Sequence, residues 1–206
     1  MRIVLMRHAR VLSVWKKRYD SAGYDRENQN YDLAPIELFP PVDIPIEKVY
    51  VSTLPRSAAT ADCLVGEKNI ETTPLLDEVP IRSFMDSRRM LPTWLWNAMA
   101  TIQWLAGSKR QFETKALTDR KIDAFLDMVE AAGEDCIVVG HGIHFYEMMK
   151  RMKRRGYRGR VTRYMRNGET RTFEFAARAR SPAAGGKNRK DGKDDYGRAL
   201  SSAAAD

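Results

Sequence analysis

Three places in this chain of 206 residues put a group able to hold an anion just after a short apolar run. Residues 3–6, Ile-Val-Leu-Met, stop at Arg7 and His8. Residues 136–139, Cys-Ile-Val-Val, stop at Gly140-His141-Gly142. Residues 49–51, Val-Tyr-Val, lead through Ser52-Thr53-Leu54-Pro55 to Arg56. A guanidinium presents a fork of donors matched to oxyanions, and an imidazole changes its charge near neutral pH. Such runs read as buried strands, and open α/β sheets bind ligands at the carboxyl ends of their strands. Taken singly, each has a plainer explanation: a buried strand must leave the core on something polar, and an Arg on the first turn of a helix is often only exposed.

The elements that must position these groups follow from spacing. Residues 49–52 form a second strand, and a helix over 56–65 follows, with Pro55 near its first turn. Residues 11–45 are polar and dotted with aromatics. A helix over 22–36 is weakened by Asn28, Asn30 and Asp32, so the segment reads as an excursion above the sheet. Residues 71–74 suit a short edge strand, after which Glu78 falls in a loop at the sheet's edge. Residues 91–105 are helical by pattern, with Leu91, Trp94 or Leu95, Ala98, Ile102 and Leu105 on the buried face. Trp96 and Trp104 widen that surface, for packing on the sheet and the excursion or for a dimer surface or lid. Thr118 or Asp119 caps the next helix, which buries Ile122, Phe125, Leu126 and Val129 and stops at Gly133. Residues 135–140 form a strand buried on both faces and 143–154 a helix. Asn167-Gly168, between 161–165 and 170–175, has the sequence of a closing hairpin.

Composition bounds the rest. No stretch of about 18 apolar residues is present for a membrane span, and Arg7, His8 and Arg10 interrupt the first apolar run, unlike a secretory signal. Cys63 and Cys136 are far apart and lack metal-ligand spacing, which suits a reduced compartment; the expected location is the cytoplasm. The net charge is +8, yet residues 150–180 hold twelve Lys or Arg against Glu169 and Glu174, a local +10 that leaves −2 for everything else. Residues 179–206 are Ala, Gly, Lys, Asp and Ser with almost no large apolar side chain, and are expected to be a disordered low-complexity tail on a domain of residues 1–178.

Together these pieces resemble the histidine phosphatase (phosphoglycerate mutase-like) superfamily, in a little-characterised, phosphatase-like branch. The resemblance rests on Arg7-His8-Ala9, on Ser52-Thr53-Leu54-Pro55-Arg56-Ser57-Ala58-Ala59-Thr60-Ala61, on Leu76-Asp77-Glu78 and on Val138-Val139-Gly140-His141-Gly142, in the family's order. Each motif is weak alone, and their joint occurrence is specific. It implies a three-layer α/β/α fold with a mainly parallel central sheet and the 170–175 segment at one edge. Ala9 replaces the usual Gly. Val11 and Val14 replace the Ser and Asn of the mutases proper, which argues for a phosphatase over phosphoglycerate mutase-type transfer.

The resemblance implies that His8 is a nucleophile forming a phosphohistidine, that Arg7, Arg56 and His141 stabilise the phosphoryl oxygens, and that Glu78 is the general acid and base, with Asp77 and Asp86 as fallbacks. Arg7, Arg56, His141, Gly142 and Arg10 are the expected substrate contacts, with Ser13 and Arg82 as unranked additions. No metal or cofactor is required, and His141-x-x-His144 is a poor ligand set. The expected partner is a small phosphorylated substrate or a phosphoprotein, with no membrane, no nucleic acid and a homodimer as an open alternative. A rival from another class is a polyanion-binding module that grips nucleic acid through residues 150–180.

Overall fold

Arg7 and Gly140 stand level with each other on neighbouring parallel strands, and the rest of the architecture follows from that register. The computed structural model describes residues 1–175. In chain order the elements are β1 (Arg2–Arg7), β2 (Arg18–Tyr19), α1 (Ser21–Leu33), β3 (Lys48–Val51), α2 (Pro55–Ala61), β4 (Asn69–Thr72), a 3₁₀ turn (Pro74–Leu76), β5 (Leu91–Pro92), α3 (Thr93–Leu105), α4 (Lys115–Ala132), β6 (Cys136–Gly140), α5 (Gly142–Arg154) and β7 (Thr170–Glu174). The main sheet runs β4-β3-β6-β1-β7, parallel except for β7, which pairs antiparallel with β1; β2 and β5 form a separate two-stranded ribbon. The expected tail at 179–206, and the last three residues of the expected domain, lie outside the described residues.

The central strands are continuous apolar runs because both faces are covered, and their side chains alternate between two cores. Ile3, Leu5, Cys136, Val138 and Tyr50 face α4 and α5, meeting Ile122, Phe125, Leu126, Val129, Phe145, Met148 and Met152. Val4, Met6, Val49, Val51, Ile137 and Val139 face the other way, against Ala61, Leu64 and Ile46. These make the three layers, α4 and α5 below the sheet and α2 with the segment around Ile46 above it. A third cluster, Tyr19, Tyr24 and Trp96 with Trp15, Phe84 and Leu91, ties the excursion to α3, and the Trp96 indole donates to the Tyr19 carbonyl at 3.0 Å.

Several expectations are corrected. The helix after Pro55 ends at Ala61, not at residue 65, because the backbone at Cys63 and Val65 exchanges hydrogen bonds with Val42, at 2.9 Å each, instead of continuing the helix. Helix α3 starts at Thr93, and its buried face is Trp96, Ala100 and Trp104; Trp94, Ile102 and Leu105 are exposed. It packs on the excursion, whose aromatic cluster takes Trp96. Helix α4 begins one turn earlier than expected, capped by Thr114, and Thr118 is buried within it between Glu113 and Trp104. Residues 161–165 form no strand and no hairpin closes, since β7 pairs with β1 and, at Glu174, with Arg158, and Arg7 and Asn167 side chains tie this segment to the end of β1 instead.

Helix α1 forms within the segment read as an excursion, despite Asn28, Asn30 and Asp32, its start fixed by Asp20 accepting from Gly23 N at 2.8 Å. The basic stretch is not one free face. Arg151 and Arg155 pair with Asp119, Asp123, Asp127 and Glu130 of α4, holding α5 against it, while Lys150 pairs with Glu147 and Arg171 with Glu169. Among the described residues no helix is long and apolar enough to cross a membrane.

Candidate active site

Three strand ends lie side by side. His8 N donates to the Gly140 carbonyl at 2.9 Å and Ser52 N to the Val139 carbonyl at 3.1 Å, so the residues that leave β1, β3 and β6 emerge together at one edge of the sheet. This brings the His8 and His141 rings to 5.1 Å between centroids, tilted by 51°. Ala9 N donates to Thr60 Oγ1 at 2.9 Å, and Thr60 Oγ1 donates to the Arg56 carbonyl at 2.7 Å. The Thr of the helix motif thus staples α2 to the exit of β1, with Arg56 one turn below it.

His8 is almost fully buried. Its Nδ1–H donates to the Ala9 carbonyl at 2.7 Å, the only role open to that nitrogen beside a carbonyl, so Nε2 carries the lone pair. Burial pushes its pKa down to about 3, with the Arg56 and Arg7 cations adding to the effect and the Ala9 hydrogen bond opposing it. The ring is neutral across the physiological range.

Arg7 donates from Nη1 to the Met165 carbonyl and lies over the Tyr164 ring at 5.4 Å. Its guanidinium rests against the first turn of α5, where a Cβ on Gly142 would stand 3.3 Å from Arg7 Cζ. Gly142 therefore seats Arg7. Arg56 is buried, donates from Nη1 to Asp32 Oδ1 at 2.7 Å and stacks over Tyr31 at 5.2 Å. The Nε atoms of both arginines are buried and have no protein partner.

His141 caps α5 from the end of β6, fully buried, with Nε2 2.8 Å from Ser52 Oγ and 3.2 Å from Ser57 Oγ. Burial holds its pKa well below the usual histidine value, and the nearby Arg56 and His8 push it the same way. Glu78, in the loop after the 3₁₀ turn, takes Val79 N at 3.1 Å and His144 N at 3.0 Å on Oε1, and Ile143 N at 3.3 Å on Oε2. Burial raises its pKa, and those three backbone bonds, with Arg56, pull against the rise. Oε2, with a single long contact, is the oxygen better placed to carry a proton.

A cavity of about 660 Å³ opens over this floor, and Arg7, His8, Arg56 and Glu78 all line it. His141 lies behind His8, off the cavity wall. Arg10 is not brought there: its side chain is 73% exposed and faces Glu37 at 3.8 Å. Ser13 faces Glu27, and Asp86 is bound to Arg110 on the surface, whereas Arg82 and Asp77 do line the cavity. His144 starts α5, wholly buried, and among the described residues no group of three or more His, Cys, Asp or Glu could hold a metal ion. Sequence reasoning missed Trp15, Tyr31 and Asp32 on the wall; the density of aromatic and amide residues in the excursion was the available signal.

No family model matches this sequence, and no curated protein is similar to it at a significant level. Solved structures do match. The product of open reading frame Rv3214 of Mycobacterium tuberculosis is 16% identical, with 85% of this chain and 91% of that chain covered and a TM-score of 0.50. A phosphoglycerate mutase from Bacillus anthracis is 15% identical over 84% of this chain and 86% of its own, also at 0.50. Phosphoserine phosphatase from Entamoeba histolytica is 16% identical over 84% and 90%, at 0.47. The first two of these likenesses concern the fold alone, and this chain has the fold of the histidine phosphatase (phosphoglycerate mutase-like) superfamily.

Proposed function

We propose that this chain is a phosphomonoester hydrolase that works through a phosphohistidine on His8. The observation that carries the reading is the unprotonated Nε2 of His8, fixed by the Nδ1 bond to Ala9, on a residue that lines one cavity together with Arg7 and Arg56. In the first step Nε2 bonds to phosphorus while the ester P–O bond breaks, and Glu78 gives its proton to the leaving oxygen. In the second, water attacks phosphorus, the N–P bond breaks, and Glu78 takes the proton from that water. Arg7 and Arg56 stabilise the charge spread over the equatorial oxygens, aided by His141 beside the nucleophile.

The substrate is a small phosphorylated molecule, a size supported by the cavity volume of about 660 Å³. Hydrolysis is preferred over transfer to a second acceptor because Val11 and Val14 stand where mutases carry Ser and Asn, and Val14 is 89% exposed. A polyanion-binding role is not favoured, since the ion pairs of Lys150, Arg151, Arg155 and Arg171 neutralise part of the basic stretch. The cytoplasm is the proposed compartment, supported by the free thiols of Cys63 and Cys136.

Turnover of p-nitrophenyl phosphate should survive EDTA and fall to background in His8→Ala. Acid-labile, base-stable phosphate should be trapped on the wild type alone. Loss of activity on chelation with recovery on adding a divalent ion would sink the mechanism.

A further inference from the structure

The hydroxyl of Ser52 has all three of its hydrogen-bonding positions assigned. Its proton goes to Asp77 Oδ1 at 2.7 Å, and its two lone pairs face Leu54 N at 3.2 Å and His141 Nε2 at 2.8 Å. A hydroxyl has one proton, so an oxygen that gives it to a carboxylate must accept from the imidazole. Asp77 is itself held by Thr53, whose N and Oγ1 each donate to it at 2.7 Å, one to each carboxylate oxygen.

We propose that Asp77, acting through Ser52, is a positioning residue that fixes the tautomer of His141, with the proton on Nε2 and the lone pair on Nδ1. The proposal rests on the phosphoryl-transfer reading for its role in turnover, where the fixed ring of His141 backs the His8 nucleophile. Nδ1 is buried and has no protein partner. Ser57 Oγ also approaches Nε2, but at 3.2 Å against 2.8 Å; if Ser57 donated there, the Nε2 lone pair would face the lone pair of Ser52 at the shorter distance. The charged and titratable groups around the ring are Arg7 and His8 from the end of β1, Arg56 from α2 and His144 from α5. None of them is hydrogen-bonded to it, so the serine and its aspartate alone choose which nitrogen is protonated.

Asp77 is thereby separated from Glu78. Adjacent in the chain, one carboxylate serves the histidine behind the nucleophile and the other lines the route of the leaving group.

The test is the ¹⁵N signature of the ligand-free full chain labelled at histidine, recorded near pH 7 by long-range ¹H–¹⁵N correlation. His141 should show a protonated Nε2 and a bare Nδ1. Ser52→Ala and Asp77→Ala should each move it to a mixture or to the opposite tautomer, while Ser57→Ala should leave it as in the wild type. Two variants at separate points of the relay guard against one that folds poorly. On p-nitrophenyl phosphate, Asp77→Ala should lower kcat on the order of tenfold to a hundredfold, with KM little changed. A wild-type His141 protonated on Nδ1, or an unchanged signature in both Ser52→Ala and Asp77→Ala, would overturn the proposal. The expected signatures in a wild-type chain without phosphomonoesterase activity would instead overturn the proposed function and leave the tautomer assignment standing.

Discussion

A carboxyl group that first gives a proton and then takes one back, the role proposed for Glu78, has to sit between two environments, and Glu78 does. Burial favours its neutral form while the N–H groups of Ile143 and His144, at the start of α5, favour the carboxylate. If Glu78 protonates the leaving oxygen, Glu78→Gln should reduce turnover of alkyl phosphates by about 10² to 10⁴, with a much smaller loss on p-nitrophenyl phosphate, whose leaving group needs little help. If His141 stabilises the phosphoryl group, as proposed, His141→Ala should impair both substrates alike. Steady-state kinetics on the two classes, under conditions where phosphoryl transfer limits the rate, separates the roles. Unchanged alkyl phosphate turnover in Glu78→Gln would move the acid elsewhere on the cavity wall.

At the scale of elements, α1 delivers Asp32 onto Arg56, and a half-exposed carboxylate there competes with any incoming anion for the same guanidinium. Asp32→Asn should tighten competitive inhibition by inorganic phosphate about two- to fivefold, the size expected of a partly solvated ion pair; weaker inhibition would mean that Asp32 holds Arg56 in its working orientation. This contact was not legible in the sequence. Asp32 and Arg56 are 24 positions apart, and nothing local in either segment encodes their meeting. The strands were legible, because burial on both faces leaves an unbroken apolar run such as 136–139, and so were the stop of α4 at Gly133, with φ of 70°, and the gathering of strand ends that the motif order implies. Helix α3 was misread because its sequence carries apolar side chains on more than one face; its partner decides, and the partner is the aromatic excursion rather than the sheet. Residues 161–165 have strand-like composition, yet Arg7 and Asn167 bind this region to the end of β1.

For the whole molecule, three histidines are folded into the interior without charge. His8 and His144 are each pushed down to about 3 and His141 well below its ordinary value, burial being the first cause for all three. The unfolded chain binds protons at these sites below about pH 6.5 while the folded chain does not, so their contribution is intact above that pH and is lost as pH falls from about 6.5 toward 3. Each group steepens the decline by up to about 1.4 kcal/mol per pH unit. Glu78, raised in the folded state, works in the opposite sense as one group against three. Urea unfolding at a series of pH values should show stability falling below pH 6.5, and His144→Leu should flatten that slope by close to one proton; an equal slope would mean that His144 charges without unfolding. The register that builds the site also sets when it can exist. Ile3 lies between Cys136 on one side and Phe173 on the other, so the apolar strand made first waits for partners made more than 130 residues later. At roughly 5–20 residues per second that wait is on the order of ten seconds, with the entropy of a long closing loop still to be met. During synthesis the strand that leads to His8 is thus an unpaired apolar segment, and no nascent chain that ends before Gly140 can bring the ends of β1 and β6 together.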